Sequence, residues 1–501
     1  MSEEHLPEKR ESFWVETGYQ NKYAKLEQDL TTDVAVVGGG IAGILSAYTL
    51  MKEGYKVVLL EGRELLHGTT GYTTAKLCAQ HGLIYSELIE RYDEDLAKLY
   101  YEANMEGITT IERIAKDNGI NCELESESAF VYTEDKDKVD AFKKEADAYE
   151  KLNIEGNYLT EMPIDIDIEA AVQMRNQAQF HPVTFLHKVL DVMKEAGVEI
   201  YEHSLVMDVE QEENGQKTKL ELENGNVVTC SSAIFATHFP TFDPEEKYTV
   251  LNPEMSYALA LKTTKTHPDG IYINDDIPSR TFRKMRVDET DYLLVGGQGH
   301  PVGDEHREEE RYEDLYKAAK ELFGETDVVY RWSAHDLMTE DRIPFIGKLH
   351  PDYKNIYTLT GFNKWGLANA ATGTNVIADL MKERDNPYEA MYNPRRDIPD
   401  LKKSDDSNQG DENIDKLDLP DKVDDLKNGE ATVIKKDDEE IGVYKDEKGE
   451  LHYLDITCTH LGCSVTWNDG DHTWDCPCHG SRFNATGEVI EGPALKGLSQ
   501  K

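Results

Sequence analysis

The spacing of apolar and polar residues changes several times along the chain, and each change predicts an element. "DVAVV", starting at Asp33, is a short β-branched run fit for a buried parallel strand. After a cluster of glycines, "IAGILSAYTLMKEG" carries apolar residues at helical spacing and stops at Gly54, and "YKVVLLE" then reads as a second buried strand ending in Glu61. The stretch from about Leu83 to Lys116 is helical in pattern. "PVTFLHKVLDVMKEAG" is an amphipathic helix stopped by Gly197, followed by strands with hairpin turns at Asn214-Gly215 and Asn224-Gly225 and a return strand, "AIFAT". The region from about Met255 to Val295 is rich in strand signals. "YTLTGFNKWGLANAATGTNVIADL" again runs strand, Gly-rich turn and helix start. From Asp397 to Asp425 the chain has 11 acidic and 4 basic residues and no aromatic, so it cannot bury enough surface to offset its ordering entropy and reads as a tether. Beyond it "ATVI", "IGVYK" and "LHYLDIT" alternate with turn residues, which predicts a small all-β module. The organisation expected is an arm over residues 1–30, a large mixed domain over 31–396, an acidic linker over 397–426 and an all-β domain over 427–501.

At 501 residues the chain is several times the usual domain size, which fits that division. Its 54 basic against 98 acidic residues give a formal net charge of −44. That charge repels phosphate backbones and anionic lipid surfaces, so no nucleic-acid partner is expected. It suits a salt-adapted surface or a solubility device equally well. The start, "MSEEHLPEKRESFW", lacks the apolar core of a secretion signal. Val34 to Met51 is 18 residues without a charge, the threshold length for a membrane-spanning helix. Its three consecutive glycines, each costing a helix interior about 1 kcal/mol relative to Ala, favour strand, turn and helix instead. No membrane anchor and a cytoplasmic location are therefore expected. Three scattered cysteines, Cys78, Cys122 and Cys230, read as reduced structural thiols.

Gly38, Gly40 and Gly43 stand in G-x-G-x-x-G spacing between the first strand and helix. Gly38 permits a tight turn, Gly40 lets backbone approach a pyrophosphate, Gly43 lets helix and strand pack closely, and the first helical amides face the phosphates. Glu61, 18 positions after Gly43, is near the distance expected of an acid accepting hydrogen bonds from ribose hydroxyls. These features together indicate a dinucleotide site without deciding between FAD and NAD.

Farther along, the residues resemble FAD-dependent oxidoreductases of the glycine oxidase and D-amino-acid dehydrogenase type. "GRELLHGTTGYTTAKLCAQHG" is similar to the segment that in this family wraps the ribityl chain and reaches the flavin ring, which implies roles for Gly62, Arg63, Thr70, Thr73, Thr74 and Ala75. In "AIFATHFP", Ala236 and Thr237 resemble the family's second nucleotide contact, although His238 stands where many members have Gly. "RWSAHDLMTEDRIPFIG" and the segment holding Gly361, Trp365 and Gly366 resemble its carboxyl-terminal flavin motif. The likeness, from about Asp33 to Arg396, implies FAD and an α/β (α+β) Rossmann-like domain with a β-rich substrate cap. The stretches 83–116 and 255–295 would supply that cap. Arg283, Arg286 and Arg342 are candidates for a substrate carboxylate, with a salt bridge the plainer role for each. Lys76 could sit near the ring, near a phosphate or in solvent. His67, His81, His181, His238 and His335 have no ligand-like spacing to one another and stay unassigned.

In the last 44 residues, "CTHLGC" and "CPCHGS" supply C-x-H at Cys458 and His460 and C-x-x-H at Cys476 and His479. Tetrahedral zinc is one reading of four such ligands. The full boxes closely resemble those of Rieske proteins. That likeness implies a [2Fe-2S] cluster with Cys458 and Cys476 on one iron and His460 and His479 on the other, which raises its potential above that of an all-cysteine cluster. It also implies a Cys463–Cys478 disulfide, unusual in a reducing cytoplasm, and a hydrogen bond from Ser481 to a cluster sulfide. Phe483 stands where high-potential members have a hydrogen-bonding tyrosine, so a lower potential is expected. "GEVIEGPAL" resembles the loop that covers the cluster.

A flavin takes two electrons as hydride and a [2Fe-2S] centre carries one. The combination predicts an enzyme that oxidises an amine or amino acid and exchanges electrons with a one-electron partner protein through the cluster. A non-catalytic redox sensor or electron-transfer adaptor is the alternative. A Rieske oxygenase would need a further mononuclear iron domain, and 22 residues after His479 are too few for one.

Overall fold

The βαβ unit read from the glycine pattern is present, with strands Val34–Val37 and Val57–Leu60 paired in parallel and helix Ile41–Lys52 between them. Both strands are buried at every position, as their continuous apolar sequence requires of strands covered on two faces. They lie within a six-stranded sheet ordered Phe345–Lys348, Ile356–Thr360, Ser232–Phe235, Val34–Val37, Val57–Leu60, Glu199–Tyr201. All neighbours in it are parallel except Phe345–Lys348 against Ile356–Thr360. The return strand after the meander therefore sits directly beside the first, and the helix Gly366–Met381 packs on the same side as Ile41–Lys52. The Asn224-Gly225 turn joins strands Thr218–Leu222 and Val227–Cys230 in antiparallel register. The amphipathic helix is Pro182–Glu195, N-capped by the His181 ring.

This computed structural model describes residues 6–501 apart from 19, 213–214, 266, 288–289, 304–306, 400–416, 418, 421 and 437–438. Most of the expected acidic linker and Asn214 of the first hairpin turn lie outside the described residues. A second, nine-stranded sheet forms the cap. Its long strands Asn252–Thr263, Thr290–Pro301 and Thr326–Met338 are antiparallel neighbours, and Glu125–Thr133 and Ala170–Gln179 extend it. The amino-terminal segment is built into this body. Phe13 and Trp14, on the short helix Phe13–Thr17, are almost fully buried, Trp14 Nε1 donates to Thr73 O at 2.6 Å, and Leu30–Thr31 adds a strand to the meander.

The carboxyl-terminal part is all-β, as expected. It comprises a three-stranded antiparallel sheet, Ala431–Lys436, Glu439–Lys445 and Leu451–Asp455, and a four-stranded one, Thr466–Asn468, Thr473–Asp475, Arg482–Asn484 and Val489–Glu491. Trp474, Phe483 and Leu454 fill its own small core. Among the described residues no helix is long and apolar enough to cross a membrane.

Candidate functional site

Both large sheets and the small domain wall one cavity of about 620 Å³, within the roughly 300–1,000 Å³ usual for cofactor sites. The first βα turn forms one end. Gly38 has φ +109°, and a Cβ there would lie 2.3 Å from the Ala236 carbonyl oxygen, so a side chain is excluded. Gly40 opens on the cavity, where a Cβ would meet only Thr70 Oγ1, at 3.1 Å. It caps the helix with no side-chain bond, and Ile41 N–H donates to Thr70 Oγ1 at 3.1 Å. Helix-start amides at a cavity wall are a natural cradle for phosphate. Gly43 does not line the cavity. A Cβ at Gly43 would come within 1.8 Å of Gly38 O, so its lack of a side chain lets helix meet turn. Glu61, Gly62 and Arg63 do line the cavity. The Glu61 carboxylate accepts from Gly39 N–H at 2.7 Å and Arg63 N–H at 2.8 Å, and burial pushes its pKa up.

Thr70, Thr73, Thr74 and Thr237 continue the wall, and Trp365 and Gly366, at the start of helix Gly366–Met381, also line it. Two expected contacts lie behind it. Ala75, at φ +55°, is fully buried, and Gly361, at φ +68°, makes a turn where a Cβ would meet Thr339 Cγ2 at 2.6 Å. The cap wall comes from strands, through Ser256, Tyr257, Arg280 and Thr281. The helical stretch 83–116 contributes nothing to it, contrary to expectation. It forms helices Ile84–Arg91 and Glu94–Asp117, and Gly107 of the second packs so closely that a Cβ would lie 2.1 Å from Ala368 O. That apolar face is spent on the outside of the nucleotide-binding body.

None of the three expected arginines reaches the cavity surface. Arg283 is buried behind it, giving Nε to Thr74 O at 2.7 Å and Nη1 to Gln179 Oε1 at 3.0 Å. Arg286 is half exposed beside Asp291, and Arg342 is held by Glu87 at 2.8 Å and His81 O at 2.7 Å. Arg280 is the arginine at the cap wall, paired with Asp314 at 2.9 Å and with Nε buried and lacking a hydrogen-bond partner. The pattern signalled nothing special there, because its flanking sequence is an ordinary strand.

Lys76 lines the cavity. Its Nζ donates to Thr74 Oγ1 at 2.8 Å and Thr281 Oγ1 at 3.4 Å and lies 5.8 Å from the Trp365 ring centroid. Burial, with Arg283 and Lys364 adding like charge, lowers its pKa to about 7. Asp336, also on the wall, is pushed up to about 6 by burial. Of the unassigned histidines, His67 and His238 line the cavity. His81 stacks on Trp365 with centroids 4.5 Å apart.

In the small domain Cys458 and His460 follow strand Leu451–Asp455, and Cys476 and His479 lie between Thr473–Asp475 and Arg482–Asn484. Cys463 and Cys478 are joined in a disulfide that ties the two boxes together. The Cys458 and Cys476 thiols interact with each other. Together with the His460 and Leu461 amides and the Ser481 hydroxyl, this holds Cys458 down to about 6 despite burial and pushes Cys476 up. Ser481 Oγ also accepts from Ala494 N–H at 3.0 Å. The His460 and His479 rings lie 5.1 Å apart, and the Nδ1 atom of each is buried with no hydrogen-bond partner. Burial lowers both pKa values, His460 to about 4, keeping the rings neutral and able to ligate.

Among the described residues, no three of Cys458, His460, Cys476 and His479 bring ligand atoms within 4.8 Å of one another. Ligands of a single tetrahedral zinc, with bonds of about 2.0–2.3 Å, would lie within about 4 Å. The donors thus fit a two-metal cluster better than one ion. The sulfurs of Cys463, Cys476 and Cys478 do gather that closely, but two of them are already in the disulfide.

The sequence matches the family described as DAO, FAD dependent oxidoreductase, over residues 33–380, and the Rieske [2Fe-2S] domain over residues 419–500. The chain belongs to the FAD-dependent oxidoreductases of the DAO family, with a Rieske domain at its carboxyl end. It is 38% identical to YhfW of Bacillus subtilis (strain 168), which carries the name of a Rieske 2Fe-2S iron-sulfur protein, over 100% of this chain and 99% of that one. It is 24% identical to gamma-glutamylputrescine oxidoreductase of Escherichia coli (strain K12), over 74% of this chain and 89% of the relative. The structure of glycine oxidase from Geobacillus kaustophilus superposes with a TM-score of 0.63 at 17% identity, covering 74% of this chain and all of that one. This DAO-family protein is therefore an oxidoreductase whose cofactors are FAD and a [2Fe-2S] cluster. The open helix-start amides and the orphaned imidazole nitrogens suit those two groups in turn.

Proposed function

We propose that this oxidoreductase oxidises a small amine or amino acid and passes the electrons singly, through the Rieske centre, to a separate one-electron acceptor protein. The observation that carries this reading is the shared cavity. Ile490, Glu491, Gly492, Ala494 and Leu495 of the Rieske domain line the same space as the glycine turn and Lys76. Bound FAD supplies hydride acceptance, and the [2Fe-2S] centre supplies one-electron transfer.

In this reading Gly38, Gly40 and Gly43 shape the pyrophosphate cradle, Glu61 receives ribose hydroxyls, and Gly62, Arg63 and Thr237 complete the nucleotide contacts. Thr70, Thr73 and Thr74 follow the ribityl chain, with Ala75 packed behind them, and the turn at Gly361 sets Trp365 and Gly366 against the ring. Cys458 and Cys476 hold one iron, His460 and His479 the other, and Ser481 donates to a sulfide. Arg280 orients a substrate carboxylate. Lys76, neutral above its lowered pKa, takes the proton from a substrate ammonium so that the nitrogen lone pair is free when the C–H bond breaks. The oxidoreductase domain spans 31–396 and the Rieske domain 427–501, joined by the linker 397–426. Three buried free thiols, Cys78, Cys122 and Cys230, suit a reducing, cytoplasmic setting.

Anaerobic addition of amines and amino acids to the purified holoprotein tests this. The expected result is bleaching of the flavin band by at least one of them, followed by loss of cluster absorbance. A cluster that responds to redox poise while no amine bleaches the flavin would instead establish a sensor or adaptor.

A further inference from the structure

We infer that the Rieske domain works in a fixed dock and that Phe239 is the packing bridge between the flavin cavity and the cluster ligands. This rests on the proposed electron path from FAD to the Rieske centre. Thr237 and His238 are cavity-wall residues, and the next residue, Phe239, is 2% exposed. Its ring centroid lies 5.6 Å from that of His460 and 5.5 Å from that of His479. The chain therefore passes from cavity wall to van der Waals contact with both imidazoles within two residues. Thr237 Oγ1 donates to Phe239 O at 2.7 Å, closing this turn on itself, and His238 O accepts from Thr360 Oγ1, which pins its middle residue to the neighbouring strand. Electron tunnelling weakens steeply across an unfilled gap and less across bonded and packed atoms, which makes a ring filling this space the natural route.

The dock is closed around that contact. On one side Asp471 accepts from Tyr312 OH at 2.9 Å and from Ser333 Oγ, while Arg307 Nε lies 3.5 Å from Asp469 and Arg10 Nε donates to Gly470 O at 2.6 Å. On the other, Glu491 Oε2 lies 2.5 Å from His335 Nδ1. Three glycines mark how close the surfaces come. A Cβ at Gly470 would stand 3.0 Å from Glu308, one at Gly303 2.5 Å from Pro477, and one at Gly480 2.7 Å from His335. Polar and charged groups paired across the seam at Asp471, Asp469 and Gly470 resist its separation. Oxidation of one amine to its imine then releases two electrons and two protons. The electrons cross to the cluster one after the other, with a separate one-electron acceptor emptying it between them.

Light-driven reduction of the flavin in the holoprotein, with a deazaflavin and a sacrificial donor, tests this without any substrate. Cluster reduction is followed by its visible absorbance and EPR signal. The expected wild-type rate is independent of protein concentration and of added glycerol. Phe239→Ala is expected to slow cluster reduction at least about tenfold, on the scale by which small misplacements of reacting groups act, with flavin reduction and the EPR line shape unchanged. Phe239→Leu, which refills the space, should recover most of the rate. Gly470→Leu, which wedges the surfaces apart, should slow the same step and enlarge the particle in small-angle X-ray scattering. A wild-type rate that falls with viscosity, or Phe239→Ala and Gly470→Leu proteins that transfer as fast as wild type, would overturn the inference. Failure of the proposed function would look different, because no amine would bleach the flavin while photoreduction still reached the cluster.

Discussion

Lys76 is a lysine inside the cavity with hydroxyls for partners, and its lowered pKa of about 7 has two consequences. As the base for a substrate ammonium it makes kcat/KM rise as pH increases through about 7. Lys76→Met should remove that limb and cost about 100-fold, the lower part of the range for general bases. Stability should move in the same direction. The unfolded chain keeps the lysine proton up to its ordinary 10.5, whereas the folded protein releases it near 7, so folding strengthens as pH rises between those values. Thermal unfolding of the holoprotein across that window should show the slope, and Lys76→Met should flatten it. At the cluster the decisive residue is Phe483, fully buried beside Cys458 and Cys476 in the small core. Phe483→Tyr supplies a donor, and a hydrogen bond of about 1 kcal/mol favouring the reduced state corresponds to about +40 mV on a one-electron couple. A redox titration followed by EPR measures it. Such residues were only partly legible. Lys76 stood out beside a recognisable threonine run, but Arg280 and Asp336 carry no local signal, because what marks them is the cavity they face.

At the scale of elements, close packing governs what can change. Gly43 touches the turn at Gly38, and Gly43→Ala should force helix Ile41–Lys52 away from its strand, an overpacking cost of about 1–3 kcal/mol. The expected readout is a lower Tm together with substoichiometric FAD in the purified protein. The Cys463–Cys478 bond spans 15 residues, for which chain entropy gives about 3 kcal/mol. Cys463→Ser with Cys478→Ser should lower cluster retention on gentle heating, measured as iron per chain, while the flavin absorbance stays in place. Elements with a strong local period, the βαβ unit, helix Pro182–Glu195 and the strand returning beside Val34–Val37, were visible in the sequence. Which layer the helices of 83–116 would cover was not, because an amphipathic stripe states that a face is buried without naming its partner.

At the scale of the molecule, the acidic composition of 397–426 reads as a tether, and the described residues on either side of it are interlocked. The contacts responsible are single residues scattered from Arg10 to Glu491, and no periodicity links them. Asp471 is the most connected of them, since Tyr312 and Ser333 of the large domain and Arg482 of its own converge on one carboxylate whose side chain is only 7% exposed. Asp471→Ala leaves the Tyr312 and Ser333 hydroxyls without this acceptor, while Arg482 keeps Asp475 at 3.3 Å, an expected loss of about 1–3 kcal/mol in docking for each orphaned donor. Calorimetry of the holoprotein should then change character. The wild type, with its two domains sharing a cavity wall and a buried ionic network, should unfold in one main transition, and the variant in two, the Rieske domain melting first with loss of its cluster absorbance. If the variant kept a single transition at the wild-type temperature, the ionic network would not be what holds the two domains together.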